Sequence, residues 1–193
     1  ADITRQLPMR ADSLCWIASM TKPITATAIL MLQEEGKLSV DDPVAKYLPE
    51  LGGLKTAAGK PGHLTLRHLL THTSGLPEAT PAQYKTARTL ADVLPFYVGR
   101  PLSFEPGSKW QYCQSGINSL GRIVEVVSGQ SFPEFLHRRL FDPLGMKDTT
   151  FYLKPEQLPR LAKTYMRTNG TLQEVPIAFL NGREPTDRDR YPA

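Results

Sequence analysis

Seventeen prolines spread through 193 residues are the strongest constraint on what this chain can become. The usual share is about 5%. Proline fixes φ and has no backbone N–H, so it ends helices and interrupts strand ladders. Such a chain folds into short elements joined by many loops, not into a long bundle or coil. Its 40% hydrophobic and 22% charged residues are ordinary for a globular core, and its length suits one domain.

Several classes are excluded by what the sequence lacks. The 23 basic and 19 acidic side chains leave a net charge of +4. No block of five like charges occurs, and "REPTDRDR" alternates in sign. There is no nucleic-acid footprint. No apolar run approaches the roughly 18 residues of a membrane span. The opening "ADITRQLPMR" lacks the apolar segment of a signal peptide. The expectation is a cytoplasmic protein, or a periplasmic or secreted one whose export signal is gone. Nothing indicates an oligomeric state. Cys15 and Cys113 are too few for a disulfide scaffold, and buried free thiols are the plainer expectation.

The periodicity predicts a helix over 19–35, with Ile24, Ala28, Met31 and Leu32 on one face and Gly36 as its stop. Asp41 or Asp42 is expected to cap a turn opened by Pro43. Residues 52–63 are Gly-rich loop. A short helix, "TLRHLLTH", is capped by Thr65, and another lies near 89–98. Residues 115–128 carry the clearest amphipathic pattern, closed by Gly129. "SFPEFLHRRLFDPLG" starts at a Ser131 cap, and Asn169-Gly170 suits a type I′ hairpin turn within 163–176. The chain reads as mostly helical, with strand signal near its end.

"SMTKP", residues 19–23, opens the first helix. Pro23 belongs in a first turn, so Ser19 sits at or beside the helix N-terminus, where N–H groups and the dipole favour negative charge. Lys22, three residues on, lies on the same face. A serine becomes a nucleophile when a base takes its proton, and a desolvated lysine can be that base. A serine at a helix start is also an ordinary cap. The spacing leaves both readings open.

Three ordered stretches carry a resemblance to a known family. They are "IASMTKPITATAILMLQEEGKLSVDDPVAKYLP", "LTLRHLLTHTSGLP" and "FEPGSKWQYCQSGINSLGRIVEVVSGQSFPEFLHRRLFDPLGMKDTTF". Together they resemble the serine β-lactamase-like family, which groups class C β-lactamases, penicillin-binding DD-peptidases, D-aminopeptidases and related esterases. The resemblance implies an α+β fold, with this chain supplying the helical region of a β-lactamase/transpeptidase-like fold whose antiparallel-sheet half is largely missing. The expected layout is a single partial domain over 1–193, mainly helical over 19–160, with a hairpin and irregular tail over 161–193.

The resemblance implies an acyl-enzyme hydrolase acting on a small-molecule ester, β-lactam or D-amino-acid peptide. Ser19 matches the acylated nucleophile, Lys22 the lysine base, and Tyr112 the tyrosine that shuttles the proton to the leaving group. No metal or organic cofactor is implied. Gln114 stands where the family has asparagine, an amide that helps hold the lysine and the substrate's acyl-amide group. The longer side chain favours an ester over a β-lactam or peptide. The family's third motif, of Lys-Thr-Gly or His-x-Gly type, is not matched after residue 160, so the chain is expected to be a fragment. The alternative is a truncated or binding-only relative without catalysis. His68 and His72 have the i, i+4 spacing of a zinc pair, but neither the intervening glutamate nor a third ligand is evident. Trp16 and Trp110 are expected in the core, His137 on a helix surface, and the "HTSGLP" turn in the wall of the site.

Overall fold

The computed structural model describes residues 2–177 and 182–189. Helix α1, Thr21–Glu34, follows a 3-10 turn at Ala18–Met20 and carries Pro23 in its first turn. It buries Thr25, Ala28, Ile29 and Leu32. Gly36 ends it at φ 69°, where Gly36 N–H reaches Gln33 O (2.8 Å) and Lys37 N–H reaches Leu32 O (3.0 Å). These two bonds satisfy carbonyls that the last turn leaves open.

Helix α2, Leu66–Leu70, is capped by Thr65, and its His68 side chain returns to the Thr65 backbone N–H. Helix α3, Pro81–Tyr84, was not anticipated, although Thr80 and Gln83 form a capping box around it. The helix expected near 89–98 divides into α4, Leu90–Val93, and a 3-10 turn at Leu94–Phe96. Pro95 has no N–H to bond back to residue 91, so the α-helix cannot continue.

Helix α5, Gln114–Ser128, is the hub, touching α1, α2, α4 and α6. Its buried face carries Ile117, Leu120, Ile123 and Val124. Ser119 is fully buried and donates to Ser115 O (2.9 Å), while its oxygen pairs with Tyr97 OH (2.9 Å). Burying that phenol without a partner would cost about 1–3 kcal/mol. Gly129 closes α5 at φ 70°.

Helix α6, Phe132–Leu136, begins at its Ser131 cap and widens into a π-turn at His137–Phe141. From that turn Arg139 pairs with Glu35 at the end of α1. The Arg139 and Lys37 cations hold the Glu35 carboxyl down at about 2. His137 is part-exposed beside Asp142.

One expected cap is corrected. Pro43 lies just outside the 3-10 turn Val44–Lys46, in extended conformation at ψ 136°. The Asp42 carboxylate caps no helix. It accepts from Tyr47 OH (2.5 Å), Lys46 Nζ (2.9 Å) and Ser39 N–H (2.9 Å), which together hold it at about 2.

Strands β1, Thr164–Thr168, and β2, Thr171–Val175, pair antiparallel in the register Thr164↔Val175 to Thr168↔Thr171. Asn169 (φ 50°) and Gly170 (φ 80°) make the turn, as their sequence predicts. Residues 178–181 and 190–193 of the expected irregular tail lie outside the described residues. The architecture is therefore α+β and mostly helical, with one hairpin among the described residues.

Candidate active site

Two segments on either side of α3 and α4 build the site. Residues 103–113 lie along residues 72–76, joined by Ser103 N–H to Gly75 O (2.8 Å), Gly107 N–H to Thr73 O (2.8 Å) and Gln111 N–H to His72 O (2.9 Å). Gly75 makes this approach possible. It sits at φ 71°, and a Cβ there would lie 2.5 Å from Phe104 O. The segment then enters α5, so the placing of Tyr112 and Gln114 follows from that helix start.

Glu78 fixes the start. Its carboxylate accepts from the Gln114 N–H, from Ser115 N–H (3.1 Å) and from Ser115 Oγ (2.9 Å). These are donors that a helix N-terminus leaves open, and a carboxylate there also meets the positive end of the dipole. Arg100 holds the Glu78 carbonyl in turn (2.9 Å).

Ser19 arrives from the other side, on the turn before α1. Ala18 precedes it at φ 44°, a left-handed conformation that costs a non-glycine residue about 1–2 kcal/mol. The Ser19 oxygen accepts from Tyr112 OH (2.7 Å) and from Lys22 Nζ (3.3 Å). Lys22 also donates to Gln114 Oε1 (2.6 Å) and stands 4.8 Å from the centre of the Tyr112 ring. The far end of the Gln114 amide donates to Asn118 Oδ1 (3.0 Å). Ser19, Lys22, Tyr112 and Gln114, up to 95 residues apart in sequence, thus form one hydrogen-bonded set.

Ser19 and Tyr112 are exposed, while Lys22 and Gln114 are half-buried. Partial burial raises the Tyr112 phenol. Its hydrogen bonding with Lys22 and Ser19 and the Lys22 charge outweigh this, and the net shift is downward. A phenol that ionises more readily, 2.7 Å from a serine oxygen, can accept that serine's proton.

The two histidines do not share a helix face. Helix α2 ends at Leu70, and His72 lies beyond it at φ 57°. His68 Nδ1 serves the Thr65 cap, and His72 Nδ1 accepts the Cys113 N–H (3.1 Å). No cluster of three or more metal-ligating side chains occurs among the described residues.

Other placements are corrected. Trp110 is 67% exposed and meets His72 edge-on, because it lies on the segment that straps over residues 72–76. Trp16 is half-buried. Cys15 is exposed, whereas Cys113 is buried, and burial followed by the Glu78 charge pushes its thiol up to about 11. The two thiols are unpaired. Glu78 and Asn118 carry no signal of their own in the sequence, and His72 offers only its zinc-pair spacing to His68 and its place in the turn expected to wall the site. Their contacts reach across the chain, so only a shared motif pattern could have pointed to them.

A family model described as Beta-lactamase matches residues 1–189. The curated esterase EstB of Burkholderia gladioli is 38% identical over 165 residues, which cover 78% of this chain and 42% of EstB. Among solved structures, EstCE1, described as a hydrolase with promiscuous acyltransferase activity, aligns with a TM-score of 0.81 at 28% identity. That alignment covers 91% of this chain and 49% of EstCE1. The octameric penicillin-binding protein homologue from Pyrococcus abyssi aligns with a TM-score of 0.76 at 30% identity, covering 92% of this chain and 42% of that one. The chain thus spans under half the length of the curated relatives it matches.

Proposed function

The chain belongs to the beta-lactamase family, and from that membership we propose that it carries the acylation centre of a serine hydrolase acting on esters. Its helices are the helical portion of the β-lactamase/transpeptidase-like fold. The observation that carries the proposal is the contact of the Ser19 oxygen with both Tyr112 OH and Lys22 Nζ.

In this reading the Tyr112 phenolate takes the Ser19 proton as the serine oxygen attacks the ester carbonyl. The Lys22 ammonium stabilises the phenolate before the transfer. The tetrahedral adduct then collapses. Its bond to the alkoxide breaks, Tyr112 returns the proton to that alkoxide, and the acyl group stays on Ser19. Water, deprotonated by the same phenolate, attacks the acyl carbon and frees the acid and the serine.

Gln114 supports an ester rather than an amide. Its oxygen is taken by Lys22 and its nitrogen turns to Asn118. One bond at each end, to Lys22 and to Asn118, fixes the direction of the amide, and its extra methylene relative to asparagine alters what it presents to a substrate's acyl-amide group. An ester needs no such contact.

The test is turnover of a short p-nitrophenyl ester and of a chromogenic cephalosporin by the full-length protein and its Ser19→Ala variant. The ester is expected to be the better substrate, and the variant should lose its turnover by about 10³-fold or more. Ester turnover kept in Ser19→Ala would overturn the assignment. No turnover in the parent would leave a binding-only relative.

A further inference from the structure

His72 holds the Tyr112 segment from three directions. Its carbonyl accepts the Gln111 N–H (2.9 Å), its Nδ1 accepts the Cys113 N–H (3.1 Å), and its ring packs on the Tyr112 ring between them, with centres 4.8 Å apart and planes inclined at 30°. The histidine reaches this position at φ 57°, a left-handed conformation in which histidine, like asparagine and aspartate, is found more often than other non-glycine residues.

The Cys113 backbone N–H can only donate, so the Nδ1 that faces it must carry a lone pair. A neutral imidazole with its proton on Nε2 meets that demand. An imidazolium does not, since it would set N–H against N–H. We propose that His72 is a positioning residue for Tyr112, and that it acts only as the neutral imidazole with Nδ1 unprotonated.

The charged and titratable groups around it are Lys22 from α1, Glu78 from the segment before α3, and Tyr112 and Cys113 from the segment before α5. Partial burial and the Lys22 charge favour the neutral ring, and the Glu78 carboxylate opposes them. Protonation would lose the Cys113 bond and place a second cation in the field of Lys22. The phenol would then be free to swing away from Ser19 and Lys22.

The activity part of the test rests on the hydrolase reading above, so a second readout is chosen that needs no substrate. The titration of Tyr112, followed through its ring carbon bonded to oxygen by carbon NMR, is compared in the parent, His72→Leu and His72→Asn. Asparagine tolerates the left-handed backbone and offers an oxygen to the Cys113 N–H, whereas leucine does neither. The parent midpoint is expected below the ordinary value of about 10. His72→Leu should raise it to that value or beyond, and His72→Asn should bring it back toward the parent. An unshifted midpoint in His72→Leu overturns the inference, whatever the protein hydrolyses.

In single-turnover acylation of the ester, His72→Leu should lose about 10–100-fold in rate with little change in KM, and His72→Asn should recover most of it. Below the His72 midpoint, log rate against pH should steepen from a slope of one to two in the parent and stay at one in His72→Asn. Equal losses in both variants, or the same slope in parent and His72→Asn, would show that the bare Nδ1 does not matter and would overturn the proposal.

Discussion

Tyr112→Phe is expected to slow acylation of Ser19 by about 10²–10⁴-fold, the range typical for loss of a positioned acid–base group. The change removes one oxygen. That oxygen lies 2.7 Å from the Ser19 oxygen. The ring keeps its packing on His72. Because Tyr112 is 47% exposed, the loss of its hydroxyl should leave the thermal midpoint almost unchanged. A fall in rate without a fall in stability separates a chemical role from a structural one.

The pH dependence should point the same way. The Lys22 contacts lower the Tyr112 phenol, so the rate should rise with pH and level off below the ordinary tyrosine value of about 10. Removing the cation in Lys22→Met should move that limb upward, because the lowering contributions from Lys22 are lost while the raising effect of burial remains. A limb that stays in place in Lys22→Met would mean that the phenol is not the titrating base.

Gly75→Ala should be the most destabilising single-methyl change in the segment. Two costs combine. The backbone is at φ 71°, where an L-residue pays about 1–2 kcal/mol. The added Cβ would also lie 2.5 Å from Phe104 O and 3.2 Å from Phe104 N, both backbone atoms that cannot move aside as a side-chain tip would. Overpacking of this kind costs about 1–3 kcal/mol. The expected loss is about 2–5 kcal/mol, read from the denaturant midpoint at constant m. Because Ser103 N–H bonds to Gly75 O, the displacement should pass along the segment to Tyr112 and reduce acylation as well. A stability loss under about 1 kcal/mol would mean that the two segments separate freely, contrary to the close packing described here.

The local signals in the sequence were those whose physics is local. Pro23 and Gly36 bound α1, Gly129 closes α5, Ser131 opens α6, and Asn169-Gly170 turns the hairpin, because each rests on one residue's φ or one missing N–H. Ser19 and Lys22 could be paired by helix spacing alone. Tyr112 and Gln114 came only through the family resemblance, since nothing within their own segment says that Lys22 will face them.

What was missed has a common cause. Glu78 looks like any loop glutamate until α5 presents its open N–H groups. His72 would share a face with His68 only in a helix longer than α2, which ends at Leu70, and its left-handed backbone turns it to Tyr112 instead. The apolar character of Trp110 suits a core, yet it rides on the outside of the strap. Side-chain type gave the burial preference, while the crossing of two distant segments decided the outcome.

Acylation of the Ser19 oxygen is tested by trapping the intermediate. The full-length protein is mixed with a slow ester, quenched in acid within one turnover, digested, and its peptides weighed. A mass increase equal to one acyl group is expected on the peptide containing Ser19, absent in Ser19→Ala and strongly delayed in Tyr112→Phe. An acyl group found on another residue, or steady turnover with no acylated peptide at any time, would contradict it.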